Sequence, residues 1–166
     1  MSKRIRQYMG ILAAVAAYYI VHEGAHLITA LSYGVFKRIN FMGLGIQIDV
    51  YTDRMTDTQL GVFCLAGPLA ALAAGWVLIA MAKPICAVRS KVFKAIMWYT
   101  SLALLLLDPV YLGILCDMFG GGDMNGIGLL ISEPMARAIF CGIGIINGIA
   151  VWKILLPAYS KEFREQ

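Results

Sequence analysis

Charge is scarce in this chain of 166 residues: Asp, Glu, Lys and Arg make up 14% of it, against 60% hydrophobic residues and a mean hydropathy of +0.75. That balance excludes an ordinary soluble domain of this length and places the chain in a bilayer. Cysteine is thin as well. Cys64, Cys86, Cys116 and Cys141 are scattered in or beside apolar segments without C-x-x-C spacing, which suits small buried side chains better than a disulfide framework or a zinc knot. No internal repeat stands out, which argues against a transporter built from paired halves. The net charge of +4 is explained by basic flanks of apolar segments and calls for no nucleic-acid partner. Histidine is scarcest of all, and both copies fall within five residues.

Those five are His22-Glu23-Gly24-Ala25-His26, inside an apolar stretch long enough to cross a bilayer. Helical residues four apart share a face, so both imidazoles can point at one metal ion while Glu23 sits one residue round, near an open coordination position. Zinc accepts imidazole nitrogens readily, and a catalytic zinc keeps three protein ligands and an open site. Glu23 is then the general base. The plainer alternative is a polar cluster hydrogen-bonded between helices. Against it, a carboxylate near the middle of a spanning segment costs about 2.5 to 3.5 kcal/mol on insertion scales, a cost usually met for function.

At about 20 apolar residues per crossing, the chain divides into spans over residues 8–33, 59–81, 93–116 and 135–156. The predicted fold is an α-helical integral membrane protein of about four transmembrane helices, with residues 1–166 forming a single membrane-embedded domain. The apolar run after Met1-Ser2-Lys3-Arg4 exceeds signal-peptide length and is expected to be retained as the first span. Between spans one and two, residues 35–51 interleave Ile39, Phe41, Leu44, Ile46, Ile48 and Val50 with glycines and polar residues, the pattern of a membrane-associated strand or hairpin. An open strand edge at Ile46, Ile48 and Val50 would hold an unwound peptide substrate extended; the alternative is an ordinary interfacial loop. Basic clusters before span one, between spans two and three and at the end of the chain place both termini in the cytoplasm. The histidine motif then lies nearer the outer face.

A third ligand is required and no third histidine exists, so a carboxylate must serve. Of Asp49, Asp53, Asp108, Asp117 and Asp123, the choice falls on Asp123, in Gly120-Gly121-Gly122-Asp123-Met124-Asn125-Gly126. Glycines permit irregular backbone and close approach to an ion; the competing reading is a turn-forming Asp in a solvent loop. Asp108, before Pro109, is the alternative third ligand. It is also read as a helix cap, an outer partner of the metal site or part of a water route.

The motif in a membrane helix, followed by Ala66-Gly67-Pro68-Leu69-Ala70 in a later span and then an Asp-centred glycine-rich stretch, resembles the site-2 protease family of intramembrane zinc metalloproteases. The order of elements matches that family's three-helix core, and the likeness covers most of the chain. It implies one zinc ion held by His22, His26 and Asp123, Glu23 as catalytic base, and transmembrane protein or peptide segments as substrates. The chain is expected to be a minimal catalytic core. Relatives commonly hold the site nearer the cytoplasm, whereas the charge pattern here places it toward the outer face. The competing class is a non-proteolytic metal-binding membrane protein, whether a pseudoprotease, a binder of membrane segments or a divalent-cation carrier. Small-residue rows at Gly67, Ala71 and Gly75 and at Gly144 and Gly148 are read as packing surfaces within the bundle, or as a route to a homo-oligomer. Pro68 is expected to bend its helix beside the histidines.

Overall fold

The computed structural model describes residues 2–42 and 45–164. Helix α1 (Lys3–Ser32) opens on Ser2, whose hydroxyl accepts the Ile5 N–H, and its 30 residues extend about 45 Å at the helical rise. Strands β1 (Phe36–Met42) and β2 (Gly45–Val50) follow as an antiparallel hairpin with Ile39 opposite Ile48 and an irregularity between Phe36 and Arg38. The alternating segment is therefore a hairpin; Leu44, counted in its pattern, lies outside the described residues. Helix α2 (Asp57–Ala80) starts with a reciprocal cap, the Gln59 N–H donating to the Thr56 hydroxyl and the Thr56 N–H to the Gln59 side chain. That arrangement satisfies two of the N–H groups every helix start leaves open.

After the short α3 (Ala82–Ala87), helix α4 (Lys91–Val110) is capped by Ser90 and runs on through a π segment (Tyr111–Leu115) and a 3₁₀ turn (Cys116–Phe119). Helices α5 (Asp123–Ile127) and α6 (Glu133–Ala150), a second π segment (Val151–Leu155) and α7 (Leu156–Arg164) complete the chain. Four stretches, Lys3–Ser32, Asp57–Ala80, Lys91–Met118 and Glu133–Lys161, are long and apolar enough to cross a membrane. They match the four expected spans. The first and last run about five residues further than apolarity alone suggested, because charged flanks continue a helix once it is nucleated. Leu12 (71% exposed), Ile20 (73%) and Ile28 (71%) stand out from α1. Large apolar side chains on the outside of every long helix are the surface a helical membrane protein shows to lipid.

Packing inside uses close approach of small residues. The row Gly67, Ala71 and Gly75 is taken up within the chain: Gly67 lies against the two histidine rings, Ala71 is fully buried, and Gly75 meets Leu104 and Leu105. In the second row Gly144 meets Pro109, while nothing approaches Gly148. Pro109 carries no N–H, which strips the Leu105 carbonyl of its helical donor. Asn147 of α6 supplies one, its amide donating to Leu105 O at 2.7 Å. Cys141 of α6 likewise reaches the Gly113 carbonyl of the π segment. The carbonyls at the α-to-π transition after Pro109 are thus met from α6, and the chain leads on to the glycines before Asp123. Buried side chains form two clusters. One, with Val35, Ile48, Phe63, Leu112, Met124 and Phe140, surrounds the hairpin; the other, with Ile79, Ile85, Leu105, Leu155 and Tyr159, closes the opposite end.

Candidate metal centre

Three turns of α1 place Tyr18, His22 and His26 on one face, each four residues from the next. His22 and His26 are 6% and 3% exposed, and their Nε2 atoms face each other at 3.1 Å. Asp123 completes the group from α5: Oδ2 is 3.2 Å from His22 Nε2 and Oδ1 is 3.5 Å from His26 Nε2. One ligand atom from each of the three lies within 4.8 Å of the others, a spacing at which all three could hold one metal ion.

The outer nitrogens decide what faces inward. The His26 Nδ1–H donates to the Phe63 carbonyl at 2.8 Å; a carbonyl only accepts, so His26 carries its hydrogen there and its Nε2 presents a lone pair. His22 Nδ1 faces the Asp108 carboxylate at 3.3 Å and the Tyr18 oxygen at 3.2 Å. Tyr18 donates its own hydrogen to Asp108 Oδ1 at 2.5 Å, so His22 Nδ1 is a donor too and its Nε2 is the second inward lone pair. Two imidazole lone pairs and a carboxylate converge on one point. Such an arrangement repels itself unless a metal ion or a shared proton stands between, and anchoring the far nitrogen of each histidine is how proteins orient imidazole ligands.

Asp123 reaches the pair because of the glycines before it. Gly120, Gly121 and Gly122 adopt φ of 78°, 86° and 48°, a left-handed run that residues with a Cβ avoid. The reversal delivers Asp123 at the start of α5.

The other four aspartates weighed as ligands lie away from the converging nitrogens. Asp108, 1% exposed, sits on the outer nitrogen of His22, away from the converging lone pairs, which is the place of an outer partner. Asp49 pairs with Arg38 at 2.8 Å, Asp53 is exposed in the turn before α2, and Asp117 pairs with Arg137, which also binds Glu133. Arg137 therefore fills the second acidic grouping, Cys116 with Asp117 and Glu133, from within. The four cysteines are free thiols.

A cavity of about 630 Å³ opens beside His22, His26 and Asp123, lined also by Glu23, Tyr111, Asn125 and the whole of β2. The Ile48 N–H donates to Glu23 Oε2 at 3.1 Å. That N–H points away from β1, so the outer edge of β2 borders the cavity and Glu23 lies between it and the histidines. Ile46, Ile48 and Val50 all line the cavity, yet Ile48 turns its side chain into the core at 5% exposed, leaving its backbone to face the site.

Tyr18, the Phe63 carbonyl and Gly67 are the site groups that sequence reading passed over. Tyr18 lies one turn before His22, so the four-residue period was a signal for it. Gly67 was read as a packing position and as part of the Gly-Pro motif, not as a group against the histidines; a Cβ there would fall 2.7 Å from His22 Nε2 and nearer still to His26 Nε2. Gly67→Ala is expected to splay the rings and abolish metal retention, while costing about 1 to 3 kcal/mol from overpacking; metal analysis beside a thermal melt in detergent checks both. No family model, no curated protein and no solved structure matches this chain.

Proposed function

We propose that this chain is an intramembrane zinc metalloprotease of the site-2 protease type, cutting peptide bonds within or beside transmembrane segments. One observation carries the reading: the inward nitrogens of two imidazoles and the Asp123 carboxylate converge next to a second carboxylate, Glu23, which accepts from the outer edge of β2, an edge that pairs with no other strand among the described residues. His22, His26 and Asp123 would hold the ion, and a set of two imidazoles and one carboxylate on a hydrolase motif favours zinc. When bound, zinc supplies Lewis-acid chemistry, acidifying water and polarising a carbonyl.

The residues of the chain do the rest. Glu23 accepts a proton from the attacking water and returns it to the leaving amine, as the new C–O bond forms and the C–N bond breaks. The Ile48 N–H fixes one oxygen of Glu23, leaving the other for the proton. The outer edge of β2 offers backbone groups to a substrate strand, which favours extended peptide over intact helix. A helical substrate hides its carbonyls in its own hydrogen bonds and must unwind first, so helix-breaking residues near the cut should help. With the basic clusters cytoplasmic, both termini lie inside and the histidines sit past the midplane toward the outer face.

The test is cleavage of a transmembrane peptide carrying a central Gly-Pro pair, by protein purified in detergent. Cleavage should stop with a chelator and return with zinc. Protein that retains metal yet cuts no such peptide would leave a metal-binding membrane protein without hydrolysis.

A further inference from the structure

A second cavity, of about 490 Å³, lies at the end of the bundle remote from the histidines. Ligand sites typically occupy about 300 to 1,000 Å³, so it is large enough to matter. Lys3, Arg6 and Gln7 line it from the first two turns of α1, Trp98 and Tyr99 from α4, and Ser160 from α7. Leu156 and Ala95 add apolar wall. This is the end that carries the basic clusters before α1, between α2 and α4, and in the last helix.

Two features separate this cavity from an ordinary basic flank. Neither Lys3 nor Arg6 forms an ion pair among the described residues, whereas Arg38 and Arg137 on the opposite half each hold a carboxylate. No acidic residue lines the cavity among the described residues. Two cations without an acidic partner among the described residues thus face one hollow that also offers the Gln7 amide. Tyr159, 2% exposed, belongs to the same lining and packs on Trp98 at 5.2 Å between ring centroids.

We infer that this cavity binds the headgroup phosphate of an anionic phospholipid. Lys3 and Arg6 neutralise the phosphodiester, and the Gln7 amide lines the same hollow as a donor to its free oxygens. Trp98, Tyr99 and Tyr159 form the amphipathic wall that aromatic residues make at the level of lipid headgroups, and Leu156 and Ala95 lead toward the acyl chains. Basic pockets between transmembrane helices on the cytoplasmic side are suited to such headgroups. A free phosphate would share the cations but gain nothing from the aromatic and apolar walls.

Native mass spectrometry of delipidated protein tests this, titrating phosphatidylglycerol, phosphatidylcholine of matched chains, and glycerol 3-phosphate in parallel. Tight binding of one phosphatidylglycerol is expected, at least tenfold stronger than phosphatidylcholine and glycerol 3-phosphate. The double variant Lys3→Gln, Arg6→Gln should weaken it about 20- to 30-fold, at roughly 1 kcal/mol for each lost charge. Lys3→Arg with Arg6→Lys should keep it, and Lys37→Gln on the hairpin should leave it unchanged. Equal affinity for both lipids, equal binding of glycerol 3-phosphate, or a double variant that binds like wild type would each overturn the inference. Zinc content and proteolysis play no part in this readout, so its outcome is independent of the metal centre.

Discussion

Glu23→Gln protein keeps its metal and its fold but loses about 10² to 10⁴ of its turnover. Gln is the same size as Glu and its amide carbonyl still accepts the Ile48 N–H, so the hairpin stays docked on α1. The lost property is the proton. An amide cannot take one from water at neutral pH or hand one to the leaving amine. The three proposed ligands are untouched, because Glu23 lies outside the cluster formed by His22, His26 and Asp123. Metal analysis and peptide cleavage on the same preparation check this. A Glu23→Gln protein that still cuts at the wild-type rate would remove Glu23 from the chemistry.

Asp123→Asn and Asp108→Asn separate the two carboxylates around His22 by kind of loss. Asp123 faces the inward nitrogens of both histidines, and Asn in its place gives up the negative charge that balances a divalent cation, so metal should no longer copurify. Asp108 touches only the outer nitrogen of His22 and the Tyr18 hydroxyl. Asn there still offers an acceptor, and the expected loss is the about 10- to 100-fold in metal affinity that removal of an outer partner costs. The opposite order, with Asp108→Asn stripping metal and Asp123→Asn nearly silent, would make Asp108 the ligand and require the glycine turn to move aside.

What could be read from the sequence was local. The four-residue interval puts His22 and His26 on one face whatever the rest of the chain does, and three consecutive glycines before Asp123 announce a backbone that only glycine tolerates. Alternation at Ile39, Phe41, Ile46, Ile48 and Val50 carried the hairpin, and apolar length carried the four long helices. The remainder depends on contacts between distant parts of the chain. Asp108 lies 86 residues from His22 and 90 from Tyr18, and nothing in its neighbourhood of leucines says which helix it will meet. The Phe63 carbonyl is a backbone group and has no signature at all. Pro109 announces a carbonyl without a helical donor, but that Asn147 meets it follows only from the packing of α6 on α4. Gly67 shows the same limit from another side: small-residue spacing marks close approach without saying that the approaching groups are ligands.

The claim on which the account turns is that His22, His26 and Asp123 hold a metal ion. Elemental analysis of protein purified in detergent without added metal addresses it directly, with His22→Ala alongside. The account predicts close to one zinc per chain in the wild type and none in His22→Ala; wild-type protein that carries no metal and takes up none when zinc is supplied would contradict it.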